Sequence, residues 1–175
     1  MKVALTVLSL LVSQNVLANE VGKFKYYESH DGLENATSYV ATSTMGAVVG
    51  SYDSIENLWS YYCEKSNVDN STHIYFKMKF PKAVATPNDK LLVQIRFRNN
   101  KQENSDLYKL NAQMFSNSYE SAYITDFSPK FLEDAFMFKG LLFTVTNSTG
   151  QSSEQYFVSN KGFKSAYEKV MKSCQ

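Results

Sequence analysis

The chain has 175 residues, of which 43% are hydrophobic, 14% aromatic and 20% charged, with only 7 Gly and 3 Pro. That composition excludes a collagen-like, low-complexity or wholly disordered chain, and the length suits one compact domain. With 18 Lys and Arg against 17 Asp and Glu, bulk charge gives no drive towards nucleic acid or an anionic membrane.

The first eighteen residues differ from all that follow. Lys2 is followed by a nearly continuous apolar run from Val3 to Val12, broken only by Thr6 and Ser9, and Val16-Leu17-Ala18 ends on a small residue. This pattern predicts a cleaved signal peptide over residues 1–18, leaving 19–175 as a single exported β-rich domain. The apolar run is shorter than the roughly 20 residues of a membrane span, so the expectation is a periplasmic or secreted protein with no membrane insertion after cleavage. Cleavage removes Lys2 and no acid, which leaves the mature chain with a net charge of zero.

Residues 19–36 read as a short strand and a polar turn, and residues 37–50 (TSYVATSTMGAVVG) as a Thr- and Val-rich strand with a bend at its glycines. Trp59, Tyr61 and Cys63 alternate with Leu58, Ser60 and Tyr62, as a strand with large side chains on both faces would. The clearest alternation follows. Ile74, Phe76, Met78 and Phe80 point one way and Tyr75, Lys77 and Lys79 the other; Leu91, Val93, Ile95 and Phe97 repeat the pattern against Leu92, Gln94, Arg96 and Arg98. The segment PKAVATPND between them predicts a loop longer than a tight hairpin. Tyr108, Leu110, Ala112 and Met114 continue the period of two, and Ala122 and Ile124 mark another short strand.

Helical signals come late. Ser128 as N-cap, Pro129 at the first position and Phe131, Leu132, Ala135 and Phe136 at helical spacing predict a short helix stopped by Gly140. Leu141, Phe143 and Val145 resume a strand, Asn147 to Gly150 form a turn, and Gln155 to Ser159 return. Phe163, Ala166, Tyr167, Val170 and Met171 predict a C-terminal helix with Lys172 in its last turn. The fold class read from this order is mainly β, an antiparallel β-sandwich or curled sheet with a short internal helix and a C-terminal helix.

Cys63 and Cys174 are the two cysteines of the chain. In an oxidising compartment an isolated pair is most simply one disulfide. A reactive thiol would want a CxxC spacing or a basic helix start, and zinc would need more than His30 and His73 at finger-like spacing. Three N-x-[ST] triplets, at Asn35, Asn70 and Asn147, are about what 14 Asn yield by chance in a Ser- and Thr-rich chain.

Candidate chemistry is sparse. Ser29-His30-Asp31 places three triad residue types side by side, but strand neighbours point to opposite faces and triads assemble from distant positions. Glu133-Asp134 reads as the solvated polar face of the short helix, and His73 as exposed. No nucleophile elbow, zinc-protease, dinucleotide or calcium motif occurs, so no catalytic residue, metal ligand or cofactor is assigned. Gly46 to Gly50 lacks the Gly-Lys-Ser/Thr ending of a phosphate loop. Trp59, Tyr61 and Tyr75 are candidates for a stacking platform. The site with most weight is a basic row of Lys77, Lys79, Arg96 and Arg98, which share one sheet face if their two strands pair, with Lys82 and Lys90 in the connecting loop; it suits an acidic protein partner or an anionic glycan.

The stretches Leu58–Cys63 (LWSYYC), Thr72–Phe76 (THIYF), Val93–Phe97 (VQIRF), Phe131-Leu132, Leu141–Val145 (LLFTV) and Phe157–Phe163 (FVSNKGF), with Ala166 and Cys174 after them, resemble the periplasmic VasI/TagO-like proteins associated with type VI secretion. They resemble more loosely the invasion-associated locus B proteins. The similarity spans about residues 50–174 and is most specific at its ending, a Gly-Phe turn, a helix and a final Cys. It implies a small disulfide-stapled exported scaffold and supplies no catalytic residue. The functional expectation is a non-enzymatic periplasmic module that binds an envelope or exported protein, as a secretion-system accessory. The alternative is an immunity or inhibitor protein that neutralises an exported enzyme.

Overall fold

A computed structural model describes residues 23–31, 35–51, 54–99 and 103–175. The predicted signal segment lies outside these. Eleven strands form one continuous antiparallel sheet: β1 (Phe24–Asp31), β2 (Ala36–Ser43), β3 (Gly46–Val48), β4 (Ser54–Ile55), β5 (Trp59–Ser66), β6 (Thr72–Lys79), β7 (Lys90–Arg98), β8 (Tyr108–Met114), β9 (Ser121–Ile124), β10 (Gly140–Thr146) and β11 (Tyr156–Ser159). Their spatial order is β1-β2-β5-β6-β9-β8-β7-β10-β11-β3-β4. Two helices, α1 (Pro129–Met137) and α2 (Phe163–Cys174), complete the described chain. The predicted mainly β curled sheet with an internal and a C-terminal helix is thus the observed architecture.

Period-two alternation builds the core. Trp59, Tyr61 and Cys63 of β5, Phe76 and Met78 of β6, Leu91 to Phe97 at alternate positions of β7, and Leu141, Phe143 and Val145 of β10 are all buried on one side of the sheet. The sheet curls over this face until distant strands touch. Trp59 meets Phe76 on the adjacent strand at 5.3 Å between ring centroids and Phe143 of β10 at 5.2 Å. The ladder is short where β8 and β9 pair, through Gln113↔Tyr123 and Met114↔Ala122.

The helices plug the open sides of the curl. Ser128 caps α1 as predicted, its Oγ accepting from Phe131 N–H at 3.2 Å, and Phe131 inserts among Phe76, Phe97 and Tyr108. The helix ends at Met137, earlier than the predicted stop at Gly140. Asn160 explains the early end, because its buried side-chain amide donates to the carbonyls of Ala135 and Phe138 at 3.1 and 3.2 Å. Gly140 instead opens β10, where a Cβ would lie 2.7 Å from the Phe157 ring and 2.9 Å from the Val158 carbonyl oxygen.

Helix α2 buries Phe163, Ala166, Val170 and Cys174, with Phe163 on Phe24 at 4.8 Å and Tyr167 on Tyr61 at 4.9 Å. Cys174 is disulfide-bonded to Cys63, with Cα atoms 6.3 Å apart and a sequence separation of 111. Such a bond belongs to an oxidising, extracytoplasmic compartment. Among the described residues no helix is long and apolar enough to cross a membrane.

Closing so long a loop restricts the unfolded chain, which on the chain-entropy account stabilises the fold by about 4–5 kcal/mol. Replacing Cys63 and Cys174 together by Ser is therefore expected to lower the urea midpoint of unfolding markedly, as reduction of the wild type does. Coincident unfolding curves for the oxidised and double-Ser chains would show that the core alone holds α2.

Candidate functional site

Registered partners in an antiparallel sheet share a face, so the pairing defines which side chains stand on the outer surface. On β6 these are His73, Tyr75, Lys77 and Lys79, and on β7 Lys90, Leu92, Gln94, Arg96 and Arg98. The predicted basic row assumed that β6 and β7 are neighbours, and they are not: β9 and β8 lie between them. The chain leaves β6 through residues 80–89, forms β7 and β8, and only then returns β9 to the side of β6, so the two strands with the clearest alternation never pair. Lys77 stands in the register row of Tyr123, Gln113 and Lys90. Arg96 is three strand spacings, about 14 Å, across and six residues, about 20 Å, along from it. The structure therefore brings Lys77 to Lys79 and Arg96 to Arg98 as two separated pairs.

The intervening strands add a cation that sequence reasoning missed, Lys109 of β8, which stands opposite Gln94; Lys90, read as part of the connecting loop, instead begins β7 opposite Gln113. The four contiguous strands β6, β9, β8 and β7 carry six lysines and arginines on the outer face (Lys77, Lys79, Lys90, Lys109, Arg96 and Arg98) and no Asp or Glu at all. The ion pairs among the described residues are Lys82 with Glu154 and Lys130 with Asp134, and neither involves these six. Absence of acids from four strand sequences was a legible signal, but only the strand order shows that the strands are contiguous.

At the β5–β6 end the cations meet aromatics. Tyr62 and Tyr75 stack at 5.1 Å with 3° between their planes, and Phe115 lies 4.9 Å from Tyr123. The Lys77 ammonium sits over both groups, 5.5 Å from the Tyr62 ring centre and 5.1 Å from that of Phe115. Beside it, the Tyr75 hydroxyl donates to Glu64 Oε1 at 2.6 Å. These neighbours bury Tyr75 to 8% exposure although it stands on the outer face. The predicted stacking platform is divided by the sheet: Trp59 and Tyr61 are core residues at 1% exposure, and Tyr75 alone faces outward.

The other predicted groups take structural or isolated places. Ser29, His30 and Asp31 lie within β1 rather than in a turn, and His30 Nδ1 is 3.3 Å from Thr37 Oγ1 across to β2. His73 pairs with Glu64 in register, whereas His30 shares a row with Thr37, which pairs with Lys65; alternation puts the two histidines on opposite faces. Asp134 is not solvated, at 3% exposure. It accepts from the Tyr108 hydroxyl and from Lys130 Nζ, each at 2.6 Å, and so ties α1 to β8. Burial and the Asp134 bond raise the Tyr108 pKa. No cluster of three or more His, Cys, Asp or Glu that would hold a metal occurs among the described residues. No protein-family profile, curated protein or solved structure matches the chain.

Burial lowers the Lys77 pKa below its ordinary 10.5, opposed by Glu64 and reinforced by Lys79. Between the folded and unfolded values the unfolded chain binds more protons, so the charged form opposes folding at neutral pH and the cost lifts as pH rises to 10.5. Lys77→Met, which keeps the alkyl packing, should thus gain stability relative to the wild type near neutrality, and the gain should shrink by pH 10.5. Urea unfolding of both chains at the two pH values reads this directly; a pH-independent difference would place Lys77 in the ordinary range.

Proposed function

We propose that this protein is a non-enzymatic periplasmic module that binds an acidic surface of an envelope or exported protein on the outer face of β6-β9-β8-β7. The observation that supports this reading is the charge segregation just described: six cations and no acid on four adjoining strands of a mature chain whose predicted net charge is zero. Local patches of one sign steer association even when the whole molecule is neutral. The disulfide supports an extracytoplasmic site of action. The resemblance to VasI/TagO-like proteins gives the specific form of the proposal, an accessory of a secretion apparatus.

The test is charge reversal. Lys79, Lys90, Lys109 and Arg96 are exposed, so their joint replacement by Glu should leave the melting temperature within a few degrees of wild type. Partner recovery after cross-linking in the native envelope should fall at least tenfold, and the wild-type complex should weaken as salt rises. Secretion-apparatus components in the wild-type sample would support the accessory role, and a single exported hydrolase would convert it to an inhibitor. Equal recovery by the reversed chain would eliminate the outer face as the docking surface.

A further inference from the structure

Among the described residues β1 is the last strand on its side of the sheet and pairs along one edge only. Its polarity can be read from its first residues. The Lys23 carbonyl accepts from Thr44 N–H at 3.1 Å on the β2 side, whereas Phe24 N–H donates to the Lys161 carbonyl at 2.8 Å on the other side. Backbone groups alternate edges along an antiparallel strand, so the N–H and C=O of Tyr26, Glu28 and His30 point away from β2 with those of Phe24. No backbone bond among the described residues engages them on that side.

Helix α2 runs beside this open edge. Gly162, with φ of 80°, lets the helix begin against β1, where a Cβ would stand 3.3 Å from the Phe24 carbonyl oxygen. Farther along, the Tyr26 hydroxyl donates to Ser173 Oγ at 3.0 Å. Between strand and helix lies a groove of about 380 Å³ with Phe24, Tyr26 and Ala166 among its lining residues. Lys25 and Lys169 are the charged residues among its lining; Lys169 is on the helix, and alternation turns the Lys25 side chain to the opposite face of the strand edge.

We propose that this groove takes an extended acidic peptide segment of a partner protein, which adds to the open edge of β1 as a further strand. Main-chain bonds to Tyr26, Glu28 and His30 hold it regardless of sequence, and alternate side chains supply the choice. One set packs on the helix side against Ala166 and Phe24, where a carboxylate near the Phe24 end meets Lys169, and the other set, on the opposite face, brings a carboxylate to Lys25. The peptide end that passes Glu28 is neutral or basic. This surface is separate from the cationic outer face.

The probe is an array of fluorescein-labelled decapeptides, alternating threonine with varied apolar residues and carrying two aspartates at one end, titrated against the chain that begins at Asn19. Glu28→Pro removes an outward N–H and leaves the ladder to β2 intact, since proline is tolerated on the free side of an edge strand. Lys169→Glu reverses a rim charge at an exposed helix position. Each variant is expected to weaken the best peptide at least tenfold, and the amides of Tyr26, Glu28 and His30 should gain exchange protection in the complex. Reversal of Lys79, Lys90, Lys109 and Arg96 should leave peptide binding unchanged, which separates failure here from failure of the outer-face reading. Four results would each overturn the proposal: no binding across the array, binding that both groove variants retain, protection confined to β6–β7, or occupation of the edge by a concentration-dependent dimer.

Discussion

The contact of the Trp59 indole with both Phe76 and Phe143 is what makes one sheet into one core. Phe76 is on the neighbouring strand, but β10, which carries Phe143, lies five steps along the sheet from β5. A flat sheet of eleven strands would expose one whole apolar face to water, so curling until the face meets itself is the only way a sheet of this width can bury it without a second layer. The two-pair junction of β8 and β9 is a short ladder, which constrains the relative direction of its strands less than a long one does. Aromatic side chains suit this task, since each removes a large area from water and reaches farther across the curl than an aliphatic one.

A curled sheet still has open sides, and the two helices are placed where these occur. Phe131 of α1 fills the space between β6 and β7 that their separation in the sheet creates. Asn160 then ties the end of α1 to the start of α2 through two side-chain bonds to helix carbonyls, so one buried amide orients both helices. The disulfide fastens the far end of α2 to β5, on the same face as Trp59. Helix placement is thus held at three points that are distant in sequence and adjacent in the core.

Local patterns carried much of this. Alternation identified the inward residues of β6, β7 and β10 but left open which face of β5 is buried, and the Ser128-Pro129 start of α1 was visible because capping is a short-range interaction. The pairing of Cys63 with Cys174 followed from having two cysteines and an oxidising compartment. Strand order was not legible, because alternation says which way a side chain points and nothing about which strand lies beside it. The basic row failed as a single patch for that reason, and Lys109 was missed for the same reason. Asp134 was misread because a helical wheel assigns it to solvent, whereas Tyr108 comes from a strand that sequence does not place beside α1. Tyr75 was placed on the correct face, yet its burial depends on Tyr123 of β9 and on Phe115 just past the end of β8.

The two ends of the sheet manage their free edges differently. β4 is two residues long and offers little template for pairing, which is a common way to blunt an edge. β1 has eight residues, long enough to recruit another chain. Its charges at Lys25 and Glu28 oppose indiscriminate self-pairing, since two copies aligned about Glu28 would set like charges opposite each other. The approach of α2 narrows access further, from an open sheet edge to a groove with a basic end. An edge that is long, ungapped in backbone groups and selectively guarded differs physically from one merely left over when the sheet ends. That difference, rather than exposure alone, distinguishes β1 as a surface shaped for a particular kind of strand.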